Sequence, residues 1–259
     1  MGAATLRDLR AATTFLTRLS VGGDATSADD LARGVPWFPV VGAVVGLVVA
    51  GSYVAALEFL PALAASTIGV GLGVLVTGAF HEDGLADTAD AFGGARGREE
   101  TLRVLKDPRL GTYGVVALVF DVAIRVVAIA ALEGADALLI VPAAHAVSRA
   151  GAVTLLAGPV ATDTGLGASY ASVVRGRQIV GAVVSGLVIG VVGMGPALVP
   201  AAVGVGIVGL VASRSARHRI GGVTGDLVGC AQQVGEIVVL LVGVAVVQRA
   251  WLPIPWWSS

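Results

Sequence analysis

Residues 81–94, "HEDGLADTADAFGG", place a histidine and four acidic side chains, Glu82, Asp83, Asp87 and Asp90, within ten residues. Asp83, Asp87 and Asp90 stand at i, i+4 and i+7, so on a helix they share one face. Carboxylates that close repel one another, and a hard cation such as Mg²⁺, which prefers oxygen ligands and keeps several waters, relieves the repulsion. One reading is therefore a Mg²⁺ ion held by Asp83, Asp87 and Asp90 and bridging to a phosphate. The other is a solvated acidic helix start, favoured by the helix dipole. Gly84, Gly93 and Gly94 leave room for a large ligand to approach the backbone, and Thr88 adds a hydroxyl. His81 either takes a proton from a hydroxyl nucleophile or satisfies polar groups at an interface, and the spacing does not decide between these roles.

Downstream, "KDPRLGTYG" (106–114) sets Lys106 and Arg109 on a short turn broken by Pro108 and Gly111. Both are ligands for phosphate oxygens, and basic anchoring at a membrane face is the alternative. Asp121 and Arg125 lie four residues apart, as do His145 and Arg149, all inside apolar runs. Ionisable groups there face a bundle interior and pair or line a polar cavity. Arg149 has no acid on its own helix at bonding distance, which makes it a candidate for an anionic ligand. In "RIGGVTGD" (219–226) and the run that follows, Asp226, Gln233 and Glu236 fall at i, i+7 and i+10 on one face. A polar stripe limited to half of a span implies a cavity open on one side rather than a channel.

These residues sit in a chain that is 56% hydrophobic and only 14% charged, against about 25% charged in soluble domains. Its apolar runs are ~17 to 25 residues long, enough for a helix to cross a hydrocarbon core and too long for membrane β-strands. The expected fold is all-α, a single domain over 1–259 forming a polytopic membrane bundle of about seven transmembrane helices. The spans are expected near 36–60, 61–80, 114–133, 137–158, 178–195, 196–213 and 227–250. Long polar connections (81–113, 159–177 and 214–226) alternate with very short ones, and almost all Lys and Arg, from Arg7 through Arg219, fall with the long ones. The positive-inside rule makes that side cytoplasmic, with the N-terminus and the cavity facing the cytoplasm and "WLPIPWW" (251–257) at the outer interface. "AATTFLTRLS" is too short for a signal-peptide core, so no cleavage is expected. Cys230 stands alone and carries no disulfide framework. "GAVVG" (42–46), "GVGLG" (69–73) and "GLVIG" (186–190) read as helix-packing faces, which permit homo-oligomers without demanding them. No internal repeat is evident.

"FLTRL" (15–19), "WFPVVGAVVG" (37–46), "HEDGLADTADAFGG", "KDPRLGTYGVVAL" (106–118), "SRAG" (148–151) and "GGVTGDLVGCAQQVGE" (221–236), taken together and in this order, resemble the cobalamin synthase (adenosylcobinamide-GDP ribazoletransferase) family. The resemblance implies a Mg²⁺-requiring enzyme of the cytoplasmic membrane. It would join α-ribazole or its 5′-phosphate to adenosylcobinamide-GDP, giving adenosylcobalamin or its phosphate and releasing GMP. Residue by residue it points to Asp83, Asp87 and Asp90 for Mg²⁺, Lys106 and Arg109 for the pyrophosphate, and His81 or an aspartate of the cluster as base. Arg18, Thr112, Arg149, Thr224 and Asp226 are then candidates for substrate positioning. The family's motif usually reads His-Leu-Asp-Gly, so Glu82 departs from it and is either a supporting group or a solvated one. No nucleic-acid partner is expected, while association with other enzymes of the pathway is possible. The acidic motif also superficially resembles that of CDP-alcohol phosphotransferases. Those enzymes place an Arg after the first Ala of the motif, where this chain has Asp87, and carry a second acid pair that has no match here. A cation-coupled transporter is the third class, disfavoured by the lack of repeats.

Overall fold

The structure, a computed structural model, describes residues 3–19, 21–22, 27–161 and 173–249. The chain begins with α1 (Ala3–Leu16) and α2 (Ala28–Gly34), then α3 (Phe38–Leu57), α4 (Ala62–Thr77), α5 (Phe80–Gly94) and α6 (Arg98–Val104). It continues with α7 (Thr112–Ala130), α8 (Gly134–Val153), α9 (Gly176–Met194), α10 (Leu198–Ile220) and α11 (Gly225–Arg249). Among the described residues the only β-type pairing is an isolated bridge between Val160 and Val223.

Among the described residues five stretches are long and apolar enough to cross a membrane: 28–57, 112–130, 134–157, 176–220 and 225–249. The bent pair α4 and α5 makes a sixth if it is one span. The stretch 176–220 breaks at Gly195 into α9 and α10, and Gly190 packs on Leu198, so the chain doubles back. The helices α3, α4 and α7–α11 thus coincide with the seven expected runs. Large apolar side chains such as Val119, Phe120, Val188 and Leu210 point outward, as a lipid-facing surface requires.

The Ala-rich α8 forms the central post and is buried along most of its length. Its neighbours approach through glycines. A Cβ on Gly46 would lie 2.6 Å from Pro142 Cα, and one on Gly42 would lie 2.6 Å from the His145 carbonyl. Such close backbone contact replaces the hydrophobic driving force that lipid does not supply between helices. Gly69, Gly73, Gly186 and Gly190 likewise meet neighbouring atoms, as the small-residue pattern led us to expect.

One expectation needs correction. Residues 61–80 do not form a complete span followed by a surface loop. Helix α4 stops at Gly78 (φ 69°), and Ala79 is also left-handed (φ 59°). Two such residues cannot continue an α-helix, and α5 departs at 90°. It packs within the bundle against α7 and α11, which brings Glu82 to Arg125 in α7. The acidic motif is thereby carried into the protein rather than left at the boundary.

The ends of α5, α10 and α8, with α6 and the turn before α11, gather at what we call the loop end. Arg98 stitches them, donating from Nε to the Ile220 carbonyl (3.0 Å) and from Nη2 to that of Ala161 (3.2 Å). The Ile220 bond satisfies one of the carbonyls that a helix C-terminus leaves open. "WLPIPWW" and most of the 159–177 connection lie outside the described residues.

Candidate active site

A cavity of about 380 Å³ opens at the loop end. Its polar lining comes from His81 and Asp83 on α5, Lys106 just after α6, Arg149 on α8, and Thr224 and Asp226 at the start of α11. The glycines explain how α5 and α11 meet: a Cβ on Gly84 would lie 2.7 Å from the Asp226 carbonyl oxygen. That approach brings the acidic turn of α5 against the acidic turn of α11. Thr224 Oγ1 accepts a hydrogen bond from the Leu227 amide (3.3 Å), fixing the first turn of α11 and the direction of Asp226.

Beneath the cavity lies a buried charge network. Arg125 is its hub, with Nη1 at 2.9 Å from Glu82 and 3.1 Å from Asp121, and Nε at 3.2 Å from Glu236. Glu236 also lies 3.1 Å from His145 Nδ1 and 3.7 Å from Arg149 Nη1. Gln232 donates from Nε2 to Glu236 (2.8 Å) and to Ser148 Oγ (3.1 Å). Buried charges persist when paired in this way. The network anchors Arg149, whose Nη1 donates to the His145 carbonyl (2.9 Å), while Arg149 Nε and Gln232 Oε1 are buried without a hydrogen-bond partner. Both residues line the cavity, with these two atoms turned into the packed interior beneath it.

The structure divides the expected residues. His81, Asp83, Lys106, Arg149, Thr224 and Asp226 come together in the cavity. Asp90 does not face it: its two oxygens accept from the amides of Gly111 (2.7 Å) and Gly114 (2.9 Å), so it caps α7. An anion at a helix N-terminus is favourable there. Asp87 is half-buried one turn from Asp83 and is not part of the cavity wall. Glu82 is neither solvated nor in the cavity, being committed to Arg125.

Arg109 turns outward and clasps Asp107 through two contacts of 2.9 and 2.7 Å, apart from Lys106. Those hydrogen bonds, with one from the Arg109 amide, hold the Asp107 carboxyl down at about 2. Thr112 is an exposed first residue of α7. Arg18 packs on Gly78 and donates its amide to the Val76 carbonyl (2.7 Å), so it braces the α4–α5 break. Gln232 and the cavity's phenylalanines were not singled out by sequence reasoning; Gln232 is adjacent to Gln233, one position off the expected stripe.

Oxygen donors of the kind Mg²⁺ takes are present in Asp83 and Asp226, but among the described residues no three acidic, histidine or cysteine side chains converge as a metal cage. The three-aspartate set Asp83, Asp87 and Asp90 is therefore not assembled, because Asp90 is bound to α7. An ion held by one or two carboxylates and completed by substrate phosphates and water fits the residues present.

Fold and site together define a polytopic helical membrane protein whose cavity sets carboxylates against cations, an arrangement suited to a phosphate-bearing substrate. Residues 8–244 match the family model of cobalamin-5-phosphate synthase, and the chain belongs to that family. It is 41% identical over 258 residues to an adenosylcobinamide-GDP ribazoletransferase of Bradyrhizobium diazoefficiens, covering 94% of this chain and 97% of the relative. Proteins of the same name from Azorhizobium caulinodans (38% identical, 94% and 97% covered) and Rhizobium etli (37%, 90% and 94%) are also similar. No solved structure matches the chain.

Proposed function

We propose that this chain catalyses the reaction for which its relatives are named, joining α-ribazole or its 5′-phosphate to adenosylcobinamide-GDP with release of GMP. The observation that carries this reading is the meeting of Asp83 and Asp226 with Lys106 and Arg149 in one cavity. A ribose hydroxyl attacks the phosphorus attached to the corrinoid arm. The new P–O bond forms as the bond to GMP breaks, and the hydroxyl proton passes to a base. Charge grows on the phosphoryl and leaving oxygens, where Lys106 and Arg149 supply fixed positive charge.

His81, buried at the cavity wall, stands as the base, with Asp83 as its rival. We read Asp83 and Asp226 as the carboxylates that would hold Mg²⁺, with Asp87 one turn away. When bound, the ion would neutralise charge on the phosphate oxygens. The loop end, which carries Arg98, Arg103, Lys106 and Arg109, is read as facing the cytoplasm.

The test is to purify the protein in detergent and follow GMP release with the corrinoid product. Release should require both substrates and Mg²⁺. CMP release from a CDP-alcohol, with no reaction of the corrinoid nucleotide with either form of ribazole, would overturn the proposal.

A further inference from the structure

Three of the chain's six phenylalanines converge on this cavity. Phe15 from α1 stacks on Phe38 from α3 with ring centroids 5.6 Å apart and planes at 21°. It also meets Phe80 edge-on, at 5.0 Å and 73°. Leu16, Leu156 and Val228 also line the cavity, as do the charged groups of α5, α8, the turn after α6 and the start of α11. An aromatic cluster thus stands beside the charged side of the cavity, Phe80 meeting His81 edge-on with ring centroids 5.1 Å apart. Phosphates and a ribose need the charged side, and neither gives a reason for an aromatic wall.

Resting on the function proposed above, we infer that the Phe15–Phe38–Phe80 wall is the subsite for the planar base of the acceptor nucleoside, the dimethylbenzimidazole of α-ribazole. The competing planar group is the guanine of the donor. Guanine carries hydrogen-bonding groups around its edge, and burying them against phenylalanine and leucine without partners costs free energy. Dimethylbenzimidazole presents two methyl groups and one ring nitrogen acceptor, so an apolar wall suits it. Stacking on aromatic rings accepts any planar base, so the choice between the two rests on the edge groups that the apolar wall would leave unpaired. With the base on this wall, the ribose reaches toward Asp83 and the charged side. At about 380 Å³ the cavity is of a size that takes a nucleoside.

The test compares Phe80→Leu and Phe15→Leu with the wild type. Phe80 is 38% exposed, so its substitution leaves the fold least disturbed. Two readouts are taken: KM for each substrate at saturation of the other, and equilibrium binding of radiolabelled α-ribazole without donor. The expected result is that KM and Kd for α-ribazole rise about tenfold or more, as loss of a base-stacking partner implies. KM for adenosylcobinamide-GDP should stay within about twofold. A rise confined to the donor would put guanine on the wall and overturn the inference, as would no change in either substrate with Phe80→Leu. Ribazole binding that weakens in the variants of a protein without transferase activity would uphold the subsite and remove the proposed reaction instead. Failure of the wild type to bind ribazole at all would overturn the subsite.

Discussion

The buried network gives a prediction that can be worked from its charges. Among the described residues it holds three carboxylates (Glu82, Asp121 and Glu236) and two guanidiniums (Arg125 and Arg149), a net charge of minus one with His145 neutral. Arg125→Met keeps the length of the stem and removes the hub, leaving three buried acids to one cation. Removing one partner from a buried ion pair costs about 3–5 kcal/mol. For a chain of this size each kcal/mol moves the unfolding midpoint by ~2–4 °C, so the midpoint should fall by roughly 6–20 °C.

Glu82→Gln acts in the opposite sense. It brings the network to neutrality, and the amide oxygen can still accept from Arg125 Nη1, so stability should stay within about 1 kcal/mol of wild type. Glu82→Leu, which removes the same acid, should also be tolerated. The assay is a thermal scan in detergent at fixed rate, with Arg125→Met, Glu82→Gln and the double variant compared. Equal destabilisation by the two single variants, or a stable Arg125→Met protein, would refute the reasoning, because it would mean that the three acids do not depend on one cation.

Other outcomes follow from single contacts. Asp90→Asn should lower stability by about 0.5–2 kcal/mol through the weakened cap on α7, with turnover per folded molecule nearly unchanged, as thermal scans and initial rates will measure. Gly84→Ala places a methyl 2.7 Å from the Asp226 carbonyl oxygen, which should cost about 1–3 kcal/mol and reduce turnover by separating α5 from α11. Lys106→Ala should raise KM for the corrinoid nucleotide at least tenfold, and Arg109→Ala should change it less than about threefold, because Arg109 is outside the cavity and held by Asp107. Since the Asp107 carboxyl is lowered, its clasp on Arg109 is present above the usual aspartate range and is lost only as pH falls toward about 2. A pH profile from 5 to 9 should therefore carry no step from this pair, and the same profile in Asp107→Asn is the check.

Much of this was legible in the sequence, for physical reasons that differ by residue. The apolar runs fixed the helices because a membrane span must satisfy its backbone internally, and the glycines marked the closest helix contacts. Thr224 and Asp226 stood out because they flank Gly225 where a span begins, Lys106 because it precedes a Pro- and Gly-broken turn, and Arg149 because it is a charge inside an apolar run. Partnerships at long range were not legible. Glu82 meets Arg125 43 residues away, and Asp90 caps α7 21 and 24 residues on, so local spacing put Asp90 on a ligand face and left the partner of Glu82 undetermined. Lys106 and Arg109 read as a pair, but the turn at Pro108 leaves Lys106 exposed along the cavity and Arg109 clasping Asp107 outside it. The left-handed Ala79 had no signal in residue type, and without that break the burial of α5 could not be anticipated.

The most direct test of where the chemistry occurs is single-turnover GMP release by Asp83→Asn, with binding of adenosylcobinamide-GDP measured on the same preparation. If the cavity is the site of phosphoryl transfer, the rate should fall by about 100-fold or more while the variant stays folded and still binds the corrinoid nucleotide. A rate within about threefold of wild type would contradict the placement of the reaction in this cavity.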